Sequence, residues 1–177
     1  MTQSKSGSES LDSMDDLFVE QLQDLYSAET QLIEALPMMA QAATSSDLKQ
    51  GFQAHLEQTR TQKQRLERIL SGLGKTPGGH TCKAMEGLIK EGNDLIKMKG
   101  DPTVKDAALI AAAQRVEHYE IAGYGTARTI ADHLGHGDAK SLLQESLNEE
   151  GETDKKLTAL AEGGMFKTGI NQKAMQN

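Results

Sequence analysis

Apolar residues recur along this chain at intervals of three and four, the repeat of an amphipathic helix, and the pattern predicts four long helices and one shorter one. The first covers Asp12 to Ala43 and carries Pro37 inside it, where a kink is expected. Polar "TSSD" breaks the repeat and caps a second helix from Asp47 to Leu70. Glycines and a proline mark "SGLGKTPGGHT", residues 71 to 81, as a loop, after which "CKAMEGLIKEGNDLIKM" reads as the shorter helix. "GDP" at 100 to 102 stops it and starts the third long helix, with Asp101 as cap and Pro102 at the first helical position, running to Leu134. "GHGD" turns the chain, and the last helix runs from Asp138 to Ala161, ended by Gly163 and Gly164. Residues 1–11 are polar and Ser-rich, and residues 163–177 lose the periodicity. Both are expected to be flexible tails on a domain spanning 12–162.

Two long helical hairpins are thus joined by the stretch from residue 71 to residue 101, too long for a simple up-down turn. The expected fold is all-α, a four-helix bundle whose long crossover carries an extra helix, of which the ferritin-like fold is the familiar case. Composition agrees: Leu and Ala dominate the apolar set, with no Trp, three Phe and three Tyr, so the core must be aliphatic. A formal charge of −7 disfavours nucleic acid or an anionic membrane surface as partner. No apolar run approaches the roughly 20 residues that span a bilayer, and the N-terminus lacks the apolar run of a secretory signal. Cys82 is the sole cysteine and cannot form an internal disulfide, so a cytoplasmic location is expected.

The stripes that should face inward are polar in the middle. On the first helix the stripe is Phe18, Leu22, Leu25, Glu29, Leu32, Leu36; on the second, Phe52, His55, Thr59, Gln62, Leu66, Ile69. The third long helix gives Ile110, Ala113, Glu117, Glu120, Tyr124, Ala127, and the fourth Leu143, Leu147, Glu150, Asp154, Leu157, Ala161. Counting outward from each hairpin turn puts the polar positions at a common height. Unpaired buried charge costs several kcal/mol per group, so converging acids need neutralising. Two divalent cations held by Glu29, His55, Glu117, Glu120, Glu150 and Asp154 would do this, and hard oxygen ligands suit iron or manganese. Any one inward acid is more often solvated or paired with Lys, and a lone His on an apolar face is as readily a hydrogen-bonded core residue. Five acids at one level are harder to account for that way. Glu149 lies close enough to the stripe to support a ligand from behind, and Tyr26 and Tyr124 are open to two roles, packing or donation to the carboxylates. His80 and Cys82 do not make a zinc site with any other residue.

The segments "LFVEQLQDLYSAETQLIEALPMMAQAA", "FQAHLEQTRTQKQRLERIL", "CKAMEGLIKEG", "VEHYEIAGYGTARTIADHLG" and "LLQESLNEEGETDKKLTALA" resemble the successive blocks of the YciE/YciF family of ferritin-like bacterial stress proteins. The resemblance covers residues 13 to 162 without a missing block. It implies a ferritin-like bundle with a crossover helix, a homodimer, a distant relation to rubrerythrins and manganese catalases, and a role in general stress and osmotic responses; for a two-metal site, reaction with a small oxidant and holding of the metal are the candidate activities. Position by position, it matches Glu29 to the first-helix glutamate of ferritin-like sites and Glu117 with Glu120 to their Glu-x-x-Glu pair. Departures are equally specific. Glu150 is followed by Asp154 where an imidazole is expected, and His55, Thr59 and Gln62 stand where Glu-x-x-His is expected. A non-catalytic structural or interaction dimer with a degenerate metal site therefore stands beside the catalytic expectation.

Overall fold

The structure, a computed structural model of the chain, describes residues 10–164 and 167–176. The elements in order are α1 (Met14–Ala42), α2 (Ser46–Gly72), α3 (Lys83–Lys97), α4 (Pro102–His133), α5 (Gly137–Glu162), β1 (Gly163–Gly164), β2 (Lys167–Thr168) and α6 (Ile170–Ala174). The tail expected over 1–11 lies outside the described residues, apart from Ser10 and Leu11. Helix starts are fixed by side chains that take up otherwise unpaired backbone N–H groups. Ser13 accepts from the N–H of Asp16, Ser45 from Leu48, and Asp101 from Thr103 and Val104. Cys82 caps α3 through its sulfur, which accepts from the N–H of Met85. Helix α1 is continuous through Pro37.

Helices α1 and α2 form one hairpin and α4 and α5 the other; α1 packs on α4 and α2 on α5, closing a four-helix bundle. The crossover helix α3 lies across α1 and α4 and covers that side alone. Its approach is tied down: the Ser27 hydroxyl accepts from the N–H of Cys82 at 2.9 Å, and Gln31 donates to the Cys82 carbonyl at 3.1 Å. Cys82 Sγ lies 3.0 Å from the Tyr119 hydroxyl, which donates to Asp24, and His80 Nε2 lies 3.1 Å from the same carboxylate. These contacts give His80 and Cys82 a structural role in fastening the crossover to α1 and α4.

The apolar core is in two parts. One end holds Leu32, Leu36, Phe52, Ile110, Ala113 and Leu157, the other Phe18, Leu22, Leu25, Leu66, Tyr124 and Leu143. Between them, at mid-height on all four long helices, lie the buried polar side chains. The stripes on α1, α2 and α4 are buried at every predicted position. On α5 the buried line instead runs Leu143, Ser146, Glu150, Thr153, Leu157, Ala161, and Leu147 is only half-buried.

The chain beyond Glu162, expected to be a flexible tail, contains structure among its described residues. Gly163 adopts φ of 80°, and a Cβ there would lie 2.4 Å from the Gly169 nitrogen and the Lys167 oxygen. That turn lets β1 pair antiparallel with β2 and returns α6 onto α4 and α5, where Ile170 is buried. One apolar side chain in an aperiodic segment gives no repeat to read, yet it anchors the segment.

Asp106 links the two hairpins. It is buried on α4, and its carboxylate accepts from the backbone N–H groups of Thr44 at 2.8 Å and Ser45 at 2.7 Å, in the α1–α2 turn. Replacing it by Ala orphans both donors; at about 1–3 kcal/mol for each lost charged hydrogen bond, Asp106→Ala should cost about 2–6 kcal/mol. Urea unfolding checks this, and a cost near zero would mean water replaces the carboxylate without loss.

Candidate metal centre

The acids lie where helix periodicity puts them. Glu117 and Glu120, three apart on α4, project to one side of that helix, and Glu150 meets them from α5. His55 enters from α2. One ligand atom from each of His55, Glu117, Glu120 and Glu150 lies within 4.8 Å of all the others, and all four residues are buried. This His/Glu group could hold a metal ion. His55 Nε2 is 3.3 Å from Glu117 Oε1 and 3.9 Å from Glu150 Oε2. Glu29 is wholly buried on α1, and one of its oxygens accepts from the Tyr124 hydroxyl.

Two polar supports hold this layer from outside. Gln62 Nε2 donates to Glu150, and to Glu149 Oε2 at 3.1 Å. Arg65 in turn clamps Glu149 with two hydrogen bonds of 2.6 and 2.9 Å, the planar fork that suits a carboxylate. Glu149 is thus a supporting residue, and Tyr124 a donor to Glu29. Tyr26 is elsewhere: it donates to Glu67 at 3.1 Å and lies under the Lys63 ammonium.

Asp154 does not join the group. Its carboxylate accepts from Gln114 at 3.1 Å and lies 3.4 Å from His118, toward the α4 flank and partly exposed. The reason is a one-residue choice of phase. Between Glu150 and Leu157 the repeat allows either Thr153 or Asp154 inward, and the structure buries the smaller, less costly Thr153 against Gln58 of α2.

Electrostatics at the layer follow from burial and crowding. Loss of hydration raises the pKa of Glu29, Glu117 and Glu120 well above the usual carboxylate value. Neighbouring charge adds to it, from Glu150 at Glu29 and Glu117, and from Glu29 and Glu150 at Glu120. The Tyr124 hydrogen bond pulls Glu29 back down. Burial lowers the pKa of His55, so its imidazole stays neutral and keeps a lone pair for a ligand bond.

The donor set fits a hard divalent cation. One oxygen of Glu29, Glu117 and Glu150, both oxygens of Glu120 and both ring nitrogens of His55 are buried without a hydrogen-bond partner. Among the described residues no Lys or Arg forms an ion pair with these acids, and Arg65 is engaged with Glu149 and Glu145. Neither His80 nor Cys82 joins a potential metal-holding group among the described residues.

Comparison with known proteins decides the family. The family model "Domain of unknown function (DUF892)" matches residues 13–175. The chain belongs to this DUF892 family. It is 46 % identical over 160 residues to Protein YciF of Escherichia coli strain K12, covering 90 % of this chain and 96 % of that one. Among solved DUF892-like folds, the crystal structure of the E. coli stress protein YciF superposes with a TM-score of 0.82 at 47 % identity, over 84 % of this chain and 94 % of that one. YcfI of Rhodopseudomonas palustris gives a TM-score of 0.84 at 45 % identity, over 88 % and 99 %. A Xanthomonas campestris protein at 21 % identity, TM-score 0.67 and 92 % coverage of both chains shares the fold. No described helix of this family member is long and apolar enough to cross a membrane.

Tyr124→Phe tests the electrostatics without any metal. Losing the hydroxyl raises the Glu29 pKa further, so the native state binds its proton more tightly and the variant loses stability as pH rises and Glu29 ionises. In metal-free protein the variant should be destabilised by about 1–3 kcal/mol at pH 8 and by less at pH 6. A cost independent of pH would detach Tyr124 from the acid layer.

Proposed function

We propose that this DUF892 protein is a ferritin-like two-metal stress protein that holds iron or manganese at Glu29, His55, Glu117, Glu120 and Glu150 and meets a small oxidant, dioxygen or peroxide, there. The observation that carries the reading is the convergence of His55, Glu117, Glu120 and Glu150 within 4.8 Å in a buried layer where at least one ligand atom of each lacks a hydrogen-bond partner. Its homology to a protein described as a stress protein supports the setting. A redox-active ion held by these residues would supply electrons for reduction of the oxidant. The chain's own residues do the rest. Glu120, with both oxygens free, can serve two ions; Gln62 and Tyr124 fix the orientation of Glu150 and Glu29; His55 offers a neutral nitrogen. The unpaired, buried Cys82 is consistent with a reducing cytoplasm, and the family resemblance supports a homodimer.

A second reading, a non-catalytic structural or interaction dimer with a degenerate site, is favoured by one specific feature: His55 is the single imidazole in the group. Catalase, ferroxidase and peroxidase assays on metal-loaded protein separate the two, since sustained turnover excludes a purely structural role.

Metal analysis of protein purified without chelator tests the site directly. Glu120→Gln should lower the metal-to-protein ratio clearly, whereas Asp154→Asn and Glu57→Gln should leave it unchanged, because Asp154 faces the flank and Glu57 is exposed and paired with Arg60. Full occupancy in Glu120→Gln would remove that residue from the ligand set.

The pKa shifts fix the sign of a pH test. Raised carboxylates mean that the metal-free native state holds protons the unfolded chain has released, so its stability falls as pH rises through the raised values. His55, lowered, acts oppositely, costing stability only as pH falls below its unfolded value near 6.5. Above that value the acids alone remain. Metal-free protein should therefore have a lower Tm at pH 8 than at pH 6.5, and metal-loaded protein the reverse, since protons compete with the ions. Identical pH profiles for the two forms would contradict the reading.

A further inference from the structure

The acid layer is closed on one side and reachable from the other. On the α1–α4 side, α3 lies over the bundle, and the small apolar cavity beneath it, between Leu88, Ile89 and Ala112, contains none of the acids. Among the described residues α3 packs on α1 and α4 and α6 on α4 and α5, which leaves the α2–α5 seam without a helix packed across it. There a cavity of about 60 Å³ is lined by buried His55, Glu117, Phe52 and Thr153, half-buried Gln58 and Leu160, and exposed Lys156. Thr153 Oγ1 donates to Gln58 Oε1 at 3.5 Å, so these two lining side chains link α5 to α2 beside the cavity.

We propose that this cleft is the entry port to the acid layer, that it admits small molecules of a few heavy atoms, a class that includes dioxygen and hydrogen peroxide, and that Gln58 and Thr153 set its upper size limit. The inference rests on the two-metal reading for its purpose, although the port itself can be tested without metal. Volume gives the class. At about 10–15 Å³ of space for the centre of each water, the cavity holds about four to six water-sized groups. A compact molecule able to hydrogen-bond to the Gln58 amide and the Thr153 hydroxyl describes peroxide well, and dioxygen fits by size.

The port is tested first on metal-free protein with diethyl pyrocarbonate, a reagent larger than the cavity, which acylates imidazole. Peptide mass spectrometry follows His55, with exposed His118 and His133 as internal references. In the wild type His55 should react slowly. Gln58→Ala with Thr153→Ala should raise its rate roughly tenfold, the scale on which pocket fit discriminates, with the reference histidines unchanged. Leu88→Ala, on the covered side, should leave the His55 rate alone. Gln58→Ala by itself, or Leu160→Ala, gives the same reading in smaller measure should the double variant fold poorly. No increase in any of these, or an equal increase in Leu88→Ala, overturns the port. On iron(II)-loaded protein, nitric oxide should bind to wild type while the ten-heavy-atom 2,6-dimethylphenyl isocyanide binds only to the widened variant; isocyanide binding to wild type at comparable affinity overturns the size limit. Exposing the same protein separately to dioxygen and to hydrogen peroxide tells which member of the class oxidises the iron, and exclusion of both also overturns the proposal. A protein that takes up no iron refutes the two-metal reading, while the His55 rates still decide the port.

Discussion

Four glutamates and one histidine share a dry layer at the middle of the bundle, and that crowding of ionisable groups governs the rest of the structure. Each carboxylate taken from water without a partner costs several kcal/mol, and like charges at this spacing add to it. Folding can proceed only if protons or cations neutralise the layer. The raised pKa values of Glu29, Glu117 and Glu120 describe the proton solution. The orphaned oxygens and the neutral imidazole describe the cation solution. One layer supports both, so metal and proton should compete for it.

The surrounding fold confines this cost. Two aliphatic clusters, one on each side of the layer, supply the packing that holds four helices at fixed height. Asp106 locks one hairpin to the other, and the Asp24, Tyr119 and Cys82 contacts hold the crossover. Gln62, Glu149 and Arg65 form a graded set, from a neutral amide at the layer to a guanidinium nearer the surface, which orients Glu150 without placing a cation on it. Arg65 could neutralise one acid of the layer only by abandoning its two-point clamp on Glu149.

Most of this was legible because helices of this length report their phase repeatedly. Phe18 to Leu36 on α1 and Ile110 to Ala127 on α4 each give several independent readings of one stripe, so Glu29, Glu117 and Glu120 fall inward without ambiguity. On α5 the repeat offers Thr153 and Asp154 equally, and chemistry suggested the acid whereas burial cost selected Thr153. Asp106 was missed because it is buried by contact with a turn sixty residues earlier in the chain, a pairing that no local pattern encodes. Gln62 was read as a departure from a ligand motif; its partners on α5 give it a positioning role. Ile170 carried no signal, since a single apolar residue has no period.

The account's central claim is that cations complete the layer among Glu29, His55, Glu117, Glu120 and Glu150. A crystal structure of protein purified without chelator, with anomalous data on both sides of the iron and manganese edges, tests it most directly. The account predicts two anomalous peaks inside the layer, within about 2.0–2.6 Å of these oxygens and of a His55 nitrogen. A layer with no anomalous density, its carboxyls hydrogen-bonded to one another or to water, would contradict it.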